Sequence, residues 1–298
     1  DDARQWGITI ASLDVNKSDI GYRVERSEPS TRSPYKAENL KSTGVPLELP
    51  DARGYAIRIG LSALSGISSD ESNSIVNNRP YIDLADFIYR SAASRPIVEG
   101  LIKVGAFDEL HQLGNNNLNR RDLLLHAADI YKLNNERGLS GQLTFDLKPP
   151  KLEPSGLPDL SSSDIAKNEI DILGMDISKH LIEFYGEFLN SIGAIRSCDL
   201  IKERSGREVL VAGVKVALQT PPVRSGRRVM FLTLDDGFGC NDITFFEDVQ
   251  ISSASLLRNS WLFLIKGEIR RTGPRGLSIR ALEAWELSDS YEKWRSLK

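Results

Sequence analysis

The stretch Val209-Leu-Val-Ala-Gly-Val-Lys-Val-Ala-Leu218 opens a series of five short apolar runs in the last third of the chain. Turn residues follow two of the runs, with Asp-Asp-Gly at 235–237 and Gly-Pro-Arg-Gly at 273–276. Short β-rich runs between turn residues predict strands. Five such strands within about eighty residues predict a five-stranded OB-fold β-barrel. The other four runs are Arg228–Leu234, Asp242–Phe246, Trp261–Ile269 and Leu277–Leu282.

The predicted barrel has basic loops and an outward-facing aromatic residue. Strand alternation places Met230, Leu232 and Leu234 on one face and Phe231 on the other. Barrels of this type bind single-stranded nucleic acid through stacking aromatic residues and basic rim loops. The alternatives are that Phe231 packs under a neighbouring loop and that the arginines lie in a solvated loop. The predicted phosphate-contacting residues are Arg224, Arg227, Arg228, Arg270, Arg271 and Arg275.

Composition is that of a globular protein with one basic region. The 298 residues include 40% apolar and 27% charged residues, and the formal net charge is −3. Residues 201–280 contain thirteen Lys and Arg against eight Asp and Glu, a local basic footprint within an acidic chain. Cys198 and Cys240 form no CxxC motif, which favours a reduced, cytoplasmic setting. No apolar run reaches the length of a membrane span, and the start without Met indicates a fragment of a longer protein.

Residues 61–110 contain two similar helical units, a pattern typical of a tandem helix-hairpin-helix. Ser68 or Ser69 precedes the first helix as N-cap, Glu71 is placed to complete a capping box, and Pro96 lies in the first turn of the second unit. A hairpin glycine before a helix N-terminus brings N–H groups to a phosphate without reading base sequence. The alternative is two ordinary helical hairpins that pack a core. The predicted DNA-contacting residues are Gly66, Ser68, Ser69, Gly105 and Ala106.

Residues 138–163 form a proline-rich linker, with four prolines between 149 and 158. Just before these prolines lies the hexapeptide Gln142-Leu-Thr-Phe-Asp-Leu147. We predict that this segment docks extended, with side chains in pockets of a partner. The alternative is that it packs back on the neighbouring helices. The predicted contacts are Gln142, Leu143, Phe145 and Leu147.

The sequence contains no catalytic or metal-binding constellation. His111, His126 and His180 stand apart without ligand spacing, and no nucleophile motif, phosphate-binding loop or dinucleotide fingerprint occurs. Asp235-Asp236-Gly237 follows a strand and predicts a turn. We therefore expect no catalytic residue, metal site or cofactor in this chain.

Taken in order, the motifs resemble the C-terminal third of the bacterial C-family DNA polymerases, the family of the DNA polymerase III alpha subunit. The chain is most similar to the error-prone alpha-like type that acts in damage-induced translesion synthesis and DNA repair, through Asp14-Val-Asn16, Gln219-Thr-Pro-Pro222 and Ser225-Gly-Arg-Arg228. The stretches that support the family resemblance, besides Asp14-Val-Asn16, are Ile57-Arg-Ile-Gly-Leu61, Leu64-Ser-Gly-Ile67, Leu101-Ile-Lys-Val-Gly-Ala-Phe-Asp108, Arg120-Arg-Asp-Leu-Leu124, Glu169-Ile-Asp-Ile-Leu-Gly174, Lys179-His180 and Val229-Met-Phe-Leu-Thr-Leu-Asp-Asp-Gly237.

The resemblance implies a multidomain α+β region of a DNA-directed DNA polymerase, a nucleotidyltransferase. The catalytic carboxylates and their Mg²⁺ ions would lie in a palm domain upstream, so this fragment alone should be inactive. The implied parts are the end of the fingers region at 1–60, a tandem helix-hairpin-helix domain that holds duplex DNA at 61–137, a proline-rich linker and helical segment at 138–200, an OB-fold domain near single-stranded template at 201–287, and a polar tail at 288–298.

The resemblance also implies protein partners. The hexapeptide 142–147 lies where replicative members have a sliding-clamp motif, but Phe145-Asp146-Leu147 replaces the commoner ending of consecutive apolar residues. An accessory translesion subunit would then supply the contact with the clamp. Three other interpretations stay open: a replicative alpha subunit, a non-enzymatic OB-fold protein that binds single-stranded DNA or tRNA, and a scaffold that only docks partners.

Overall fold

The structure, a computed structural model, describes residues 3, 8–28, 54–115, 117–140, 151–221, 229–271 and 276–297, with the backbone alone for 135–140. Two compact units are present. The first, here called the helical unit, consists of Thr9–Glu28 and Gly54–Lys179. The second, the barrel unit, contains His180–Lys298.

The helical unit combines a small sheet with helices. Its strands are β1 (Thr9–Ala11), β2 (Arg23–Arg26) and β3 (Tyr55–Arg58), in the order β1-β3-β2. β1 runs parallel to β3, and β2 runs antiparallel to it. A 3-10 turn at Leu61–Ala63 leads into the helices, which in the described chain are α1 (Ser69–Asn77), α2 (Leu84–Arg90), α3 (Arg95–Lys103), α4 (Arg120–Ser140) and α5 (Ser162–Leu173).

One apolar core holds the helical unit together. Leu13 and Ile59 precede the helices in sequence, yet they are buried in the same core. The rings of Tyr81, Phe87 and Phe107 meet edge to face at its centre, with centroids 4.7 and 5.0 Å apart. The compact unit therefore crosses the predicted domain boundary at residue 60, and it crosses the one at residue 138 because α5 belongs to it as well.

The barrel unit contains a closed five-stranded barrel in the order β4-β5-β6-β8-β7. β6 pairs with β8 in parallel, and all other neighbours are antiparallel. This arrangement, with a helix between the third and fourth strands, confirms the predicted OB-fold. The elements are β4 (Glu208–Gln219), β5 (Met230–Asp235), β6 (Cys240–Phe245), β7 (Leu262–Arg271) and β8 (Leu277–Glu286), with α6 (Gly186–Ser191), α7 (Ser197–Leu200), α8 (Glu247–Asn259) and α9 (Leu287–Arg295).

The segment predicted as a polar tail forms a helix that packs on the barrel unit. In α9, the rings of Tyr291 and Trp294 lie 6.0 and 5.4 Å from the ring of Phe188 in α6. These aromatic residues belong to a second apolar layer that covers the outer side of the barrel at Leu264. The tail is amphipathic, and its few apolar residues have a partner surface that composition alone does not reveal.

Candidate nucleic-acid interface

Phe231 lies on the outer surface of the barrel. Its neighbours Met230 and Leu232 are buried, whereas 41% of Phe231 is exposed. In the strand register Phe231 pairs with Gln219 on β4 and with Thr244 on β6. The ring therefore faces solvent on β5 and β6, the second and third strands of the barrel. Barrels of this type bind nucleic acid on that face, where aromatic side chains stack on the bases.

Arg270 and Arg271, adjacent on β7, have different surroundings. The Arg270 guanidinium carbon lies 5.2 Å from the centroid of the Phe246 ring, and this side chain has no acceptor among the described residues. Arg271 donates hydrogen bonds to the carbonyl oxygens of Ile201 and Glu203. Within the described residues, Arg271 is thus anchored in the barrel unit, whereas Arg270 is not.

Two residues of this face, Phe246 and Arg280, were not predicted as contacts. The Arg280 guanidinium carbon lies 5.5 Å from the Phe246 centroid, so Phe246 has a guanidinium near it from β7 and another from β8. Strand alternation gave a signal for Arg280, because Ile279 and Ala281 on either side of it are buried. Phe246 follows the end of β6 as the N-cap of α8, where strand alternation no longer sets its direction.

At the first hairpin, the Glu71 carboxylate already accepts a backbone N–H group at the predicted phosphate site. Ser68 is the N-cap of α1 and forms the predicted capping box with Glu71. The Ser68 N–H donates to Glu71 Oε2 at 2.9 Å, and the Ser94 N–H donates to Glu71 Oε1 at 2.9 Å. Ser94 is the N-cap of α3, so one carboxylate connects the starts of two helices. A phosphate at Ser68 would have to displace this carboxylate, whereas Gly66 has open space beside it. Ser69 is the first residue of α1.

At the second hairpin, the predicted amide donors are bonded inside the chain. The Gly105 N–H donates to the Ile102 carbonyl oxygen at 3.0 Å, and the Ala106 N–H donates to the Leu101 carbonyl oxygen at 2.9 Å. These two bonds form a Schellman motif that ends α3. The buried Ala106 also accepts a bond from the Val15 N–H at 3.0 Å. A phosphate contact at Gly105 and Ala106 would require this motif to open.

An ion pair fills the space beside Gly105. Arg120 Nη2 lies 2.7 Å from Asp108 Oδ2, and Arg120 Nη1 donates to the carbonyl oxygen of Lys103 at the end of α3. Gly105 has a φ of +82°, and a Cβ atom built on it would overlap the Arg120 guanidinium. Glycine is therefore required here for both backbone conformation and space, which explains the position without a phosphate.

The Asp235-Asp236-Gly237 turn has the predicted structural role. Asp235 Oδ1 accepts the Gly237 N–H at 2.8 Å. Asp236 accepts from the N–H groups of Phe238 and Gly239 and from the N–H and hydroxyl of Ser197, the first residue of α7. Both carboxylates thus satisfy local donors. In the described part of the chain, no group of three or more His, Cys, Asp and Glu side chains is arranged to hold a metal ion.

Several predicted contacts lie outside the described residues. They are Arg224, Arg227, Arg228 and Arg275 in the barrel loops, and Gln142, Leu143, Phe145 and Leu147 in the linker. Their assignments stay predictions. In the described ranges, no helix has the length and apolar character to cross a membrane.

Two domain families match the chain, one largely within the region of the helical unit and one over the barrel. Residues 7–123 match the helix-hairpin-helix motif, and residues 209–287 match the OB-fold nucleic acid binding domain. The first match begins before the hairpins, in agreement with the shared core of the helical unit. Together these matches confirm the predicted α+β architecture of helix-hairpin-helix and OB-fold.

Similar proteins were found over most of the chain. An error-prone DNA polymerase of Symbiobacterium thermophilum is 32% identical over 270 residues, which cover 83% of this chain and 24% of the relative. One of Bdellovibrio bacteriovorus is 27% identical over 288 residues, covering 91% and 24%. The chain is similar to the C-terminal region of bacterial error-prone DNA polymerases. The DNA polymerase III subunit alpha of Bacillus subtilis is also 27% identical, over 94% of this chain and 23% of the relative.

These relatives confirm the family resemblance predicted from the sequence. The chain spans about a quarter of the length of the polymerases that it matches. The enzymatic activity of the complete relatives is therefore proposed, and not shown, for this chain.

Gly105→Ala should destabilise the helical unit more than Gly66→Ala. Both glycines have positive φ, +82° and +81°, so an alanine at either position costs about 1–2 kcal/mol of backbone energy. Only at Gly105 does the new methyl group also meet the Arg120–Asp108 ion pair, because nothing lies within 4 Å of a Cβ at Gly66. Urea unfolding of the two variants measures the difference. Equal losses of stability would contradict the packing described for Gly105.

Glu71 should make stability depend on acidic pH. Hydrogen bonds from the Ser68 and Ser94 amides lower the pKa of Glu71 from 4.5 to about 2. A lowered folded-state pKa means that the stabilisation is complete above pH 4.5 and is lost as pH falls towards 2. The loss of stability caused by Glu71→Gln should therefore be greatest at neutral pH and shrink below pH 4.5. Denaturant unfolding across this range measures it, with Asp70→Asn, an exposed neighbour in the same turn, as control. A loss that does not change with pH would contradict the assignment.

Proposed function

We propose that this chain is the DNA-binding C-terminal region of an error-prone DNA-directed DNA polymerase that acts in translesion synthesis and DNA repair. The observation that supports it most is the similarity to error-prone polymerases over 83% and 91% of the chain. The barrel face adds a physical basis, because Phe231 offers an exposed stacking surface and Arg270 has no acceptor among the described residues. The replicative alpha subunit is the second candidate, favoured by the similarity to the Bacillus subtilis protein.

In this proposal, catalysis belongs to a palm domain with its own carboxylates and Mg²⁺ ions. Two-metal nucleotidyl transfer needs clustered carboxylates. The acidic pair Asp235 and Asp236 is committed to a turn, and we expect no primer extension by this chain alone. Accessory translesion subunits and, through them, the sliding clamp are the proposed protein partners, with the segment 142–147 as one contact. The proposed location is the cytoplasm.

The barrel would bind single-stranded template without base specificity. Arginines contact phosphates, and a phenylalanine stacks on any base because every base has a π-face. The helical unit would hold duplex DNA through contacts that likewise ignore sequence. Binding to both forms should weaken with salt. The logarithm of the binding constant should fall with the logarithm of the salt concentration, with a slope of roughly −0.7 per phosphate contact for single strands and −0.9 for duplex.

Phe231→Ala should weaken single-strand binding by roughly 1–3 kcal/mol and leave duplex binding nearly unchanged, because duplex hides its base faces. Fluorescence anisotropy with a labelled oligothymidylate and with a duplex of equal length measures both affinities. Trp261→Ala is the matched control, because Trp261 is a 67% exposed aromatic residue of the same barrel. The Trp261 carbonyl oxygen accepts the N–H of Lys215, which lies four residues along β4 from Gln219, the β4 partner of Phe231.

Thermal unfolding of both variants verifies that the barrel is intact. A folded Phe231→Ala variant with the parent's single-strand affinity would contradict the proposed face. Binding confined to one base sequence, or binding that does not change with salt, would contradict the proposed function and favour a sequence-specific RNA-binding or scaffold protein.

A further inference from the structure

Phe246, Arg270, Arg280 and Asp248 form a cluster on the outer surface of the barrel, here called the arginine cluster. Arg270 ends up outside the barrel because Ile269 beside it is buried, and the same alternation directs Arg280 outward. Both guanidinium carbons lie near Phe246, 5.2 and 5.5 Å from its ring centroid. Arg270 pairs with Ser278, two residues before Arg280, so the two arginines are diagonal neighbours on one face of β7 and β8. Both cations are within the range of attraction to an aromatic face.

The arginine cluster has more donors than acceptors. Arg280 Nη2 donates to Asp248 Oδ2 at 3.0 Å, which is its one ion pair among the described residues. Arg280 Nε is buried and has no hydrogen-bond partner. Arg270 likewise has no acceptor in the described part of the chain. A buried N–H group without an acceptor costs free energy, and two cations near one ring repel each other.

An anion that contacts both guanidinium groups would give Arg270 an acceptor and reduce the repulsion between the two cations. A phosphate has several acceptor oxygens and matches the planar donor fork of arginine. Contact with Phe246 restricts the two side chains before any ligand arrives, so less side-chain freedom is lost on binding. Asp248 is the internal competitor, because its carboxylate already uses one Arg280 donor.

The strand register connects the arginine cluster to Phe231. Phe231 on β5 pairs with Thr244 on β6, and Thr244 pairs with Arg280 on β8. These three outward residues form one row across neighbouring strands, and the row spans two strand spacings, roughly 10 Å. A single nucleic-acid strand that stacks a base on Phe231 therefore passes close to Arg280.

We propose that Arg270 and Arg280 together bind one backbone phosphate of a single strand, with Phe246 as their common support and Asp248 as a competitor that limits affinity. This inference rests on the proposed function and names the phosphate subsite within it. Bases contribute nothing to the subsite, so it serves any sequence.

Asp248→Asn provides the first test. It should increase the affinity for single strands, and a misfolded variant would show no such gain. Removing the competitor should tighten binding of an oligothymidylate about twofold to fivefold, the range for one exposed ion pair. Glu247→Gln is the matched control, with the same charge change in the same first turn of α8 and no ion pair to Arg280 among the described residues. Equal tightening by both variants would show a general charge effect and overturn the role of Asp248.

The salt dependence provides the second test. If the two arginines share one phosphate, the double variant Arg270→Ala with Arg280→Ala should lower the log–log salt slope by roughly 0.7. A fall of roughly 1.4 would mean two separate phosphates and would overturn the shared subsite. The single variants Arg270→Ala and Arg271→Ala each remove one charge from β7. Arg271→Ala should change the slope less, because Arg271 is anchored on carbonyl oxygens.

A third variant separates geometry from charge. Arg280→Lys keeps the charge but loses the planar fork, so it should weaken oligothymidylate binding, with circular dichroism confirming the fold. The parent chain should bind oligothymidylate. If Arg280→Lys and the double variant both bind it with the parent's affinity, the subsite is wrong while the proposed function stands. If the parent chain binds no DNA at all, the proposed function itself fails.

Discussion

The parallel pairing of β6 with β8 closes the barrel, and both the core and the candidate interface depend on it. The pairing has two register positions, Ile243 opposite Ile279 and Thr244 opposite Arg280. Both isoleucines are buried, and successive residues in a strand point to opposite faces, so the same contact that fills the core directs Thr244 and Arg280 outward. Closure also removes the open sheet edges that would otherwise pair with other chains. The outer row from Phe231 to Arg280 is thus a direct consequence of barrel closure.

The two units differ in what they offer to a nucleic acid. In the helical unit, Glu71 accepts the amides of Ser68 and Ser94, and the Schellman motif uses those of Gly105 and Ala106. These groups stabilise helix ends and have limited capacity for a phosphate. On the barrel, by contrast, Arg270 has no acceptor in the described chain. We therefore propose the barrel face, rather than the hairpins, as the site for single strands.

Periodicity and turn residues predicted the barrel strands, the capping box at Ser68 and the outward direction of Phe231. Helix α8 was not predicted, because its buried stripe consists of Val249, Ser253 and Leu257 only and is too narrow to stand out. α4 extends to Ser140, beyond the predicted start of the linker at residue 138, since one glycine does not oblige a helix to end. The support of Arg270 and Arg280 by Phe246 depends on three distant segments that barrel closure brings together, and no local pattern encodes such a contact.

We propose that a single strand lies across β5, β6 and β8, along the row from Phe231 to Arg280. The most direct test is photo-crosslinking of the whole chain to an oligonucleotide that contains 5-iodouracil, followed by mass spectrometry of the crosslinked peptides. We expect crosslinks at Phe231 and Phe246, the aromatic residues of that face, and their loss when unlabelled single strand is added in excess. Crosslinks confined to Trp261, to α9 or to the helical unit would contradict it.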